Sequence, residues 1–366
     1  MIEYENLAKL NQPFSEEFKN SFAKTLESGW YILGKNVEKF EQEFAQFCGA
    51  KYCVGLASGL DALTLSLAAF EFEKGSEIIV PSNTYIATIL SILQNGFKPV
   101  LVEPDLQSYN IDPQKIAAKI TKKTRAIIVV HLYGKCCEMA PIVDLCQKHN
   151  LRLIEDTAQA HGAKYRGKCA GTFGNFGAFS FYPTKNLGAL GDAGAIVTDD
   201  EALAEKVKML RNYGSKVKYH NELVGYNSRL DEIQAGFLSI KLPKLNEINA
   251  HKNELAKIYF KNLSDDFIKP VRHHDYFDTF HIFNVRHKKR NELKQYLLEN
   301  NIKTEIHYPI APHEQKAMLK VDFKGQSYPI SEEIHATTLS LPISFYHRKE
   351  DVERVCEVMN RFLEGK

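Results

Sequence analysis

The chain predicts an α/β fold, a mostly parallel mixed sheet flanked by helices with a smaller α+β unit after it, and three observations carry that expectation. Short β-rich runs alternate with helical spacing of apolar residues between Lys51 and Thr198, longer helices take over after Asp200, and a strand returns only near Phe280. At 366 residues the chain is also too long for one ordinary core and has the length of two unequal lobes.

In the first region strands are read at 52–57, 77–80, 98–103, 126–130, 151–156, 178–181 and 195–198, and helices between them at 61–70, 86–95 and 141–149. Parallel strands need such crossovers. The sheet is expected to end near Thr198, with helices following at 201–211, 230–242 and 243–262. The last is rich in Lys, Glu and Asn and reads as a bridge between lobes, so residues 1–245 form the large domain with an N-terminal arm and 246–366 the small one. In the small domain a strand is expected at 280–285 and helices at 290–301 and 351–362.

Composition narrows the partners. Hydrophobic residues are 44% and charged residues 25%, ordinary for a globular chain, and 47 Lys+Arg against 45 Asp+Glu leave +2, which gives no strong pull toward nucleic acid or an anionic membrane. No run approaches the roughly 20 apolar residues that cross a bilayer, and the opening MIEYENLAKLNQPF lacks a secretory core. Seven scattered cysteines are an odd number and fit a reducing cytoplasm; the sequon Asn262-Leu263-Ser264 is then accidental. There is no C-x-x-C, and adjacent Cys136 and Cys137 are poorly spaced for one metal, so no metal site is expected. The basic run His287-Lys288-Lys289-Arg290 reads as a solvated face.

One motif is a decoy. Gly162-Ala-Lys-Tyr-Arg-Gly167-Lys168 fits G-x-x-x-x-G-K, but Cys169 stands where a P-loop needs a hydroxyl for Mg²⁺. The residues after Lys168 read as a turn and a strand, not as the helix whose N-terminus would face phosphate. The segment reads as a basic hairpin.

A stronger constellation surrounds it. Asp156 ends a strand, where open α/β sheets form their ligand crevice, and Lys185 follows the next strand in Ser180-Phe-Tyr-Pro-Thr-Lys185-Asn-Leu-Gly188. An amine for an imine, an acid for a pyridinium and donors for a phosphate are what pyridoxal 5′-phosphate requires. Opposite charge keeps the ring nitrogen protonated, and a lysine of lowered pKa forms the imine and then shuttles a proton. For the phosphate, Ser58-Gly59-Leu60-Asp61 passes from strand to helix and offers free amides; an ordinary N-capped turn remains the alternative. Tyr85 follows the next strand, where a ring could stack on a cofactor.

With these residues in view, the sequence resembles the DegT/DnrJ/EryC1/StrS group, the fold-type I, aspartate-aminotransferase-like enzymes that aminate nucleotide-linked keto sugars. The likeness runs from Gly29-Trp-Tyr-Ile-Leu-Gly34 through Ser58-Gly-Leu-Asp-Ala-Leu63, His131-Leu-Tyr-Gly134, Glu155-Asp-Thr-Ala-Gln-Ala-His-Gly162 and Gly177 to Leu187. It continues in Arg211-Asn-Tyr-Gly214, Gly225 to Ala235 and His307-Tyr-Pro309. The resemblance implies a large domain that binds pyridoxal 5′-phosphate, Lys185 as the Schiff-base lysine, Asp156 as pyridinium partner and Gln159 as the contact to the phenolic oxygen. It further implies Gly59, Leu60 and Ser180 as the phosphate cup, Tyr85 as the stacking ring and Asn227 as a phosphate contact from a second subunit, hence a homodimer with shared active sites. Tyr182, Arg211, Tyr213, His307 and Tyr308 match positions facing the sugar or the donor carboxylate, and Arg229 matches an arginine that is structural or near the nucleotide. Where the family commonly has Asn-Gly-Thr, this chain has Ser58-Gly59-Leu60, so one hydroxyl of the cup is missing.

The implied reaction is transfer of an amino group from L-glutamate to the ketone of a nucleotide-linked keto-deoxyhexose, with C3 of a dTDP-3-keto-6-deoxyhexose expected, in deoxyamino-sugar biosynthesis for glycan or lipopolysaccharide. C4 amination of a UDP-, GDP- or dTDP-4-keto sugar is the alternative, and a non-catalytic regulator on the same scaffold is a third reading. Sugar dehydratases of this scaffold replace the lysine with histidine, whereas Lys185 is present here. Arg211 and the lysines at 216 and 218 offer charge to a diphosphate, or are plain surface residues.

Overall fold

The computed structural model describes residues 1–321, 323 and 326–364. After a short helix at Leu7–Asn11, two longer helices absent from the sequence reading follow, Ser15–Ser28 and Lys35–Cys48. The second buries Val37, Phe40, Phe44 and Cys48, an apolar stripe at helical spacing, and stops at Gly49 in the left-handed region, φ 75°.

All seven expected runs become strands of one sheet: β1 (Tyr52–Leu56), β2 (Glu77–Pro81), β3 (Lys98–Val102), β4 (Thr124–Val130), β5 (Arg152–Asp156), β8 (Phe176–Ser180) and β9 (Gly194–Thr198), with the hairpin β6 (Lys164–Tyr165) and β7 (Lys168–Cys169) between β5 and β8. The order across the sheet is β1-β9-β8-β5-β4-β2-β3. Only β9 runs against its neighbours, pairing antiparallel with both β8 and β1. The reason is the connection: no helix separates β8 from β9, and without a crossover the chain must come back antiparallel. The decoy is a hairpin, with Tyr165 opposite Lys168 and the turn made by Arg166 and Gly167 at positive φ. The element after Lys168–Cys169 is the strand β8, not a helix.

Helices Gly59–Ala69, Ile86–Gln94 and Glu201–Leu210 pack one face of the sheet through residues such as Leu65, Ile89 and Val207. The other face carries Lys35–Cys48 and Glu232–Lys241, where Phe40, Phe44 and Leu238 meet Phe179 and Phe181. After β9 come the exposed hairpin β10 (Ser215–Val217) and β11 (His220–Asn221), then β12 (Tyr276–Phe277) against β6, and the pair β13 (Phe283–Arg286) and β14 (Thr338–Leu341). A separate core forms around β13 and β14 from Tyr259, Leu293, Val355 and Met359. Helix Leu245–Asn262 runs from one core to the other, contributing Leu245 to the first and Leu255, Ala256 and Tyr259 to the second.

The basic run is not the solvated face expected. Lys288 and Lys289 are exposed, but His287 and Arg290 are buried, and the Arg290 guanidinium donates to the carbonyls of His335 (3.2 Å) and Thr338 (2.8 Å). Those carbonyls close helix Pro329–Thr337, and a buried cation satisfies the orphan acceptors there. All seven cysteines are buried and free. Among the described residues no helix is long and apolar enough to cross a membrane.

Candidate active site

The carboxyl ends of β4, β5 and β8 lie side by side, with Val130 opposite Asp156 and Asp156 opposite Ala178. This register puts the Asp156 side chain in the middle of the sheet edge. It accepts from the Thr88 hydroxyl at 2.8 Å and from the Ala158 amide at 3.2 Å. Burial pushes its pKa up, while Thr88, the Ala158 amide and the charge of Lys185 pull the other way. Glu155, its neighbour in sequence, points to the opposite face, where it accepts from the amides of Gly171, Phe173 and Gly174 and bonds His131. Alternation along a strand thus gives one acid to structure and the next to the site.

Lys185 sits in the turn after β8, held by its amide on the Tyr182 carbonyl at 2.8 Å. Burial lowers its pKa to about 8 against the pull of Asp156, so a large share of the amine is neutral near pH 8. Its Nζ lies 3.5 Å from His281 Nε2. Three imidazoles share this interior. His161 is lowered to about 3 and His307 to about 4, first by burial and then by the Lys185 charge, and His281 is lowered well below its ordinary value for the same causes. All three are neutral at pH 7.

The expected phosphate cup is present as geometry. Ser58 caps helix Gly59–Ala69 by accepting from the Asp61 amide at 3.1 Å, so both sequence readings of this turn hold together: the cap engages Asp61 while the Gly59 and Leu60 amides, first in the helix, have no intrahelical partner. Gly59 is required by close approach. A Cβ there would lie 2.5 Å from Ser180 Cβ, and one on Gly194 would lie 2.3 Å from the Ser58 carbonyl carbon. The helix start and the Ser180 hydroxyl therefore converge on one point, a cradle that suits an anion. With the amine at 185 and the acid at 156, the donor set fits pyridoxal phosphate.

Gln159 is buried, its Oε1 accepting from the Tyr133 amide (2.7 Å) and its Nε2 donating to the Tyr308 hydroxyl (2.9 Å). Tyr85 stands half-exposed with its ring 5.0 Å from that of Tyr308. His307 bonds Ser340 Oγ at 2.9 Å, and its carbonyl accepts from the Tyr133 hydroxyl. Tyr85, Gln159, Tyr308 and His307 thus form one connected group, and the charges of Lys185 and Asp156 act on His307 and Tyr308 respectively.

Other expected residues are not. Arg211 is a correction: it is buried, paired with Glu41 and bonded to the Gly55 carbonyl at 2.8 Å, so its guanidinium ties helix Lys35–Cys48 to β1 and is not open to a substrate. Asn227 is exposed and bridges to Asn212 through backbone, Arg229 bonds Asn212 Oδ1 at 3.1 Å and lies over the Tyr213 ring, and Tyr182 and Tyr213 are exposed. Of these residues only Tyr182 touches Lys185, and through its backbone carbonyl rather than its ring. Lys216 and Lys218 stand exposed near the β10–β11 hairpin.

Thr88, His161 and His281 escaped the sequence reading. Thr88 lies one helical turn beyond Tyr85 and His161 closes the Asp156 motif, so both were within reach; a lone His281 ahead of a strand carries no signal of its own.

Residues 13–360 match the DegT/DnrJ/EryC1/StrS aminotransferase family, and the chain belongs to it. It is 53% identical over 363 residues, 99% of each chain, to dTDP-3-amino-3,6-dideoxy-alpha-D-galactopyranose transaminase of Aneurinibacillus thermoaerophilus. It is 43% identical over 334 residues, 91% of each chain, to the erythromycin biosynthesis sensory transduction protein EryC1 of Saccharopolyspora erythraea. Among solved structures, S. venezuelae DesV in complex with a ketimine intermediate superposes with a TM-score of 0.96 at 40% identity, covering 99% of this chain and 98% of that one.

Proposed function

We propose that this chain transfers the amino group of L-glutamate to the ketone of a nucleotide-linked keto-deoxyhexose, with C3 of a dTDP-3-keto-6-deoxyhexose as the acceptor, using pyridoxal 5′-phosphate. The observation that carries the reading is the meeting of an amine and an acid, Lys185 and Asp156, beside the Gly59–Ser180 cradle. The dTDP-linked C3 acceptor rests on the 53% identity to a transaminase named for such a sugar.

Pyridoxal phosphate, when bound, supplies an electron sink for charge developing at the carbon bearing the amine. Ser180 and the Gly59 and Leu60 amides would hold its phosphate, Asp156 its ring nitrogen and Gln159 its phenolic oxygen, with the half-exposed Tyr85 against the ring. The chain's own work is proton management. Lys185 Nζ takes the proton from the donor's Cα and later returns one to the sugar carbon, and His161, His281 and His307 stay neutral beside it. Tyr182, Tyr213 and Tyr308 would line the sugar side.

The protein works as a cytoplasmic homodimer, Asn227 completing the partner's phosphate cup, and its two lobes divide near residue 245. The product feeds deoxyamino-sugar assembly for glycan or lipopolysaccharide. The name of the S. erythraea relative favours a regulatory reading, but an imine-forming amine of lowered pKa serves no purpose in a binder. The test is to supply glutamate with dTDP-linked 3-keto and 4-keto hexoses and follow 2-oxoglutarate. Release with the 3-keto sugar and an amine at C3 of the product support the proposal, release with the 4-keto sugar alone moves the reaction to C4, and no release with either refutes it.

A further inference from the structure

Two buried lysines outside the cofactor and substrate contacts hold the turn that carries Lys185. Lys241, 1% exposed on helix Glu232–Lys241, donates to the Gly188 carbonyl at 2.8 Å and to Asn11 Oδ1 at 3.1 Å. Lys252, 4% exposed on helix Leu245–Asn262, donates to Asn186 Oδ1 at 2.7 Å and to the His281 carbonyl at 3.3 Å. Neither makes a salt bridge among the described residues; the acid that acts on both is the more distant Glu5. An ammonium so deeply buried without a carboxylate is costly, and it persists where its hydrogen bonds do something an apolar side chain cannot.

Each has one target shortly after Lys185 in the chain, Asn186 for Lys252 and Gly188 for Lys241. Asn186, gripped by Lys252, donates in turn to Asn249 Oδ1 (2.8 Å) and to the Thr279 carbonyl (2.9 Å). His281 is reached from both sides, its ring by the Lys185 amine and its carbonyl by the Lys252 amine. The two ammonium groups are thus separated by a single residue.

We propose that Lys252 is a positioning residue for the transamination, a buried amine that fixes Asn186 and His281 and lets its charge act on the Lys185 amine across that one residue, while Lys241 pins the same turn at Gly188. The inference rests on Lys185 being the reactive amine. The groups facing Lys185 are Asp156, His161, His281, His307 and Lys252, and those facing Lys252 are Lys185, Glu5, His161, His281 and His347. The histidines are neutral across the range in question. Loss of the Lys252 charge therefore leaves Asp156 as the nearest charge acting on Lys185, and the amine holds its proton to higher pH.

The test uses the cofactor-free full chain. Lysines are reductively methylated with formaldehyde and cyanoborohydride between pH 6 and 10, and each site is followed by peptide mass spectrometry. In the wild type Lys185 is expected to label with a midpoint well below that of exposed lysines such as Lys218. Lys252→Gln, which keeps a donor for Asn186 but loses the charge, is expected to move the midpoint up and to slow Lys185 labelling at pH 7 by about tenfold. Lys252→Arg restores it. A Lys185 midpoint unchanged in a folded Lys252→Gln protein, or shifted equally in Lys252→Arg, overturns the inference. A wild-type Lys185 that titrates like Lys218 instead overturns the assignment of the reactive amine. If Lys252→Gln does not fold, Glu5→Gln weakens the same charge by another route: without that acid Lys252 loses its proton more readily, and the Lys185 midpoint must rise or the inference fails.

Discussion

The strand-end centre around Lys185 and the segment from Asn212 to Arg229 are built on opposite plans. At the centre, Asp156 accepts from Thr88, His281 meets the Lys185 amine, Gln159 bonds Tyr308 and the Tyr133 amide, and charge is controlled by burial. In the other segment Tyr219 is 85% exposed and Val224 96%, with Tyr213 and Tyr226 also open to solvent. An apolar patch of that kind normally meets something. The contrast teaches that one region is closed by its own bonds while the other leaves apolar side chains uncovered, a surface that the proposed dimer would cover.

The comparison breaks first at Lys185. Replacing it with Ala removes the imine-forming group, and turnover is expected to fall by more than about 10³-fold in a coupled 2-oxoglutarate assay. Asp156→Asn keeps the shape and the hydrogen-bonding capacity but not the charge, so turnover should drop about a hundredfold with the cofactor still bound in an absorption spectrum. A full-rate Asp156→Asn enzyme would disconnect that acid from the ring nitrogen.

Arg211 sharpens the contrast from the other side. Because it pairs with Glu41 in the interior, Arg211→Ala should cost about 3 kcal/mol in urea unfolding, while KM for the sugar changes less than about twofold in the protein that remains folded. A large KM effect at unchanged stability would return Arg211 to the substrate side.

Acid should damage the centre selectively. His161 and His307 have folded pKa values of about 3 and 4, below the ordinary 6.5, so the unfolded chain binds protons first. Their contribution is complete above pH 6.5 and is lost as pH falls toward 4. His161→Phe, filling the space beside Phe179 and Phe181 where neither imidazole nitrogen has a partner, should lessen the fall in Tm between pH 7 and pH 4.5. The smallest effect is expected on the exposed segment: Lys216→Ala with Lys218→Ala should raise KM for a diphosphate substrate about two- to threefold at low salt and not at all at high salt.

Much of this was legible in the sequence, for physical reasons that differ by element. The seven strands of the sheet are apolar runs bounded by turns, and Asp156 and Lys185 follow strands, so pattern and chemistry coincided. The two N-terminal helices went unread although Lys35–Cys48 carries a clear apolar stripe. Arg290 and Arg211 misled because a cation in sequence gives no sign of whether a distant carbonyl or Glu41 is waiting for it. His281, Lys241 and Lys252 reach the site only through helix and strand packing, which no local spacing encodes.

The central claim is that Lys185 is the amine that bonds the cofactor beside Asp156. Reducing the pyridoxal phosphate-loaded protein with borohydride and mapping the added mass by peptide sequencing tests it most directly. The mass is predicted on Lys185 alone, and its appearance on another lysine, or on none, would contradict the account.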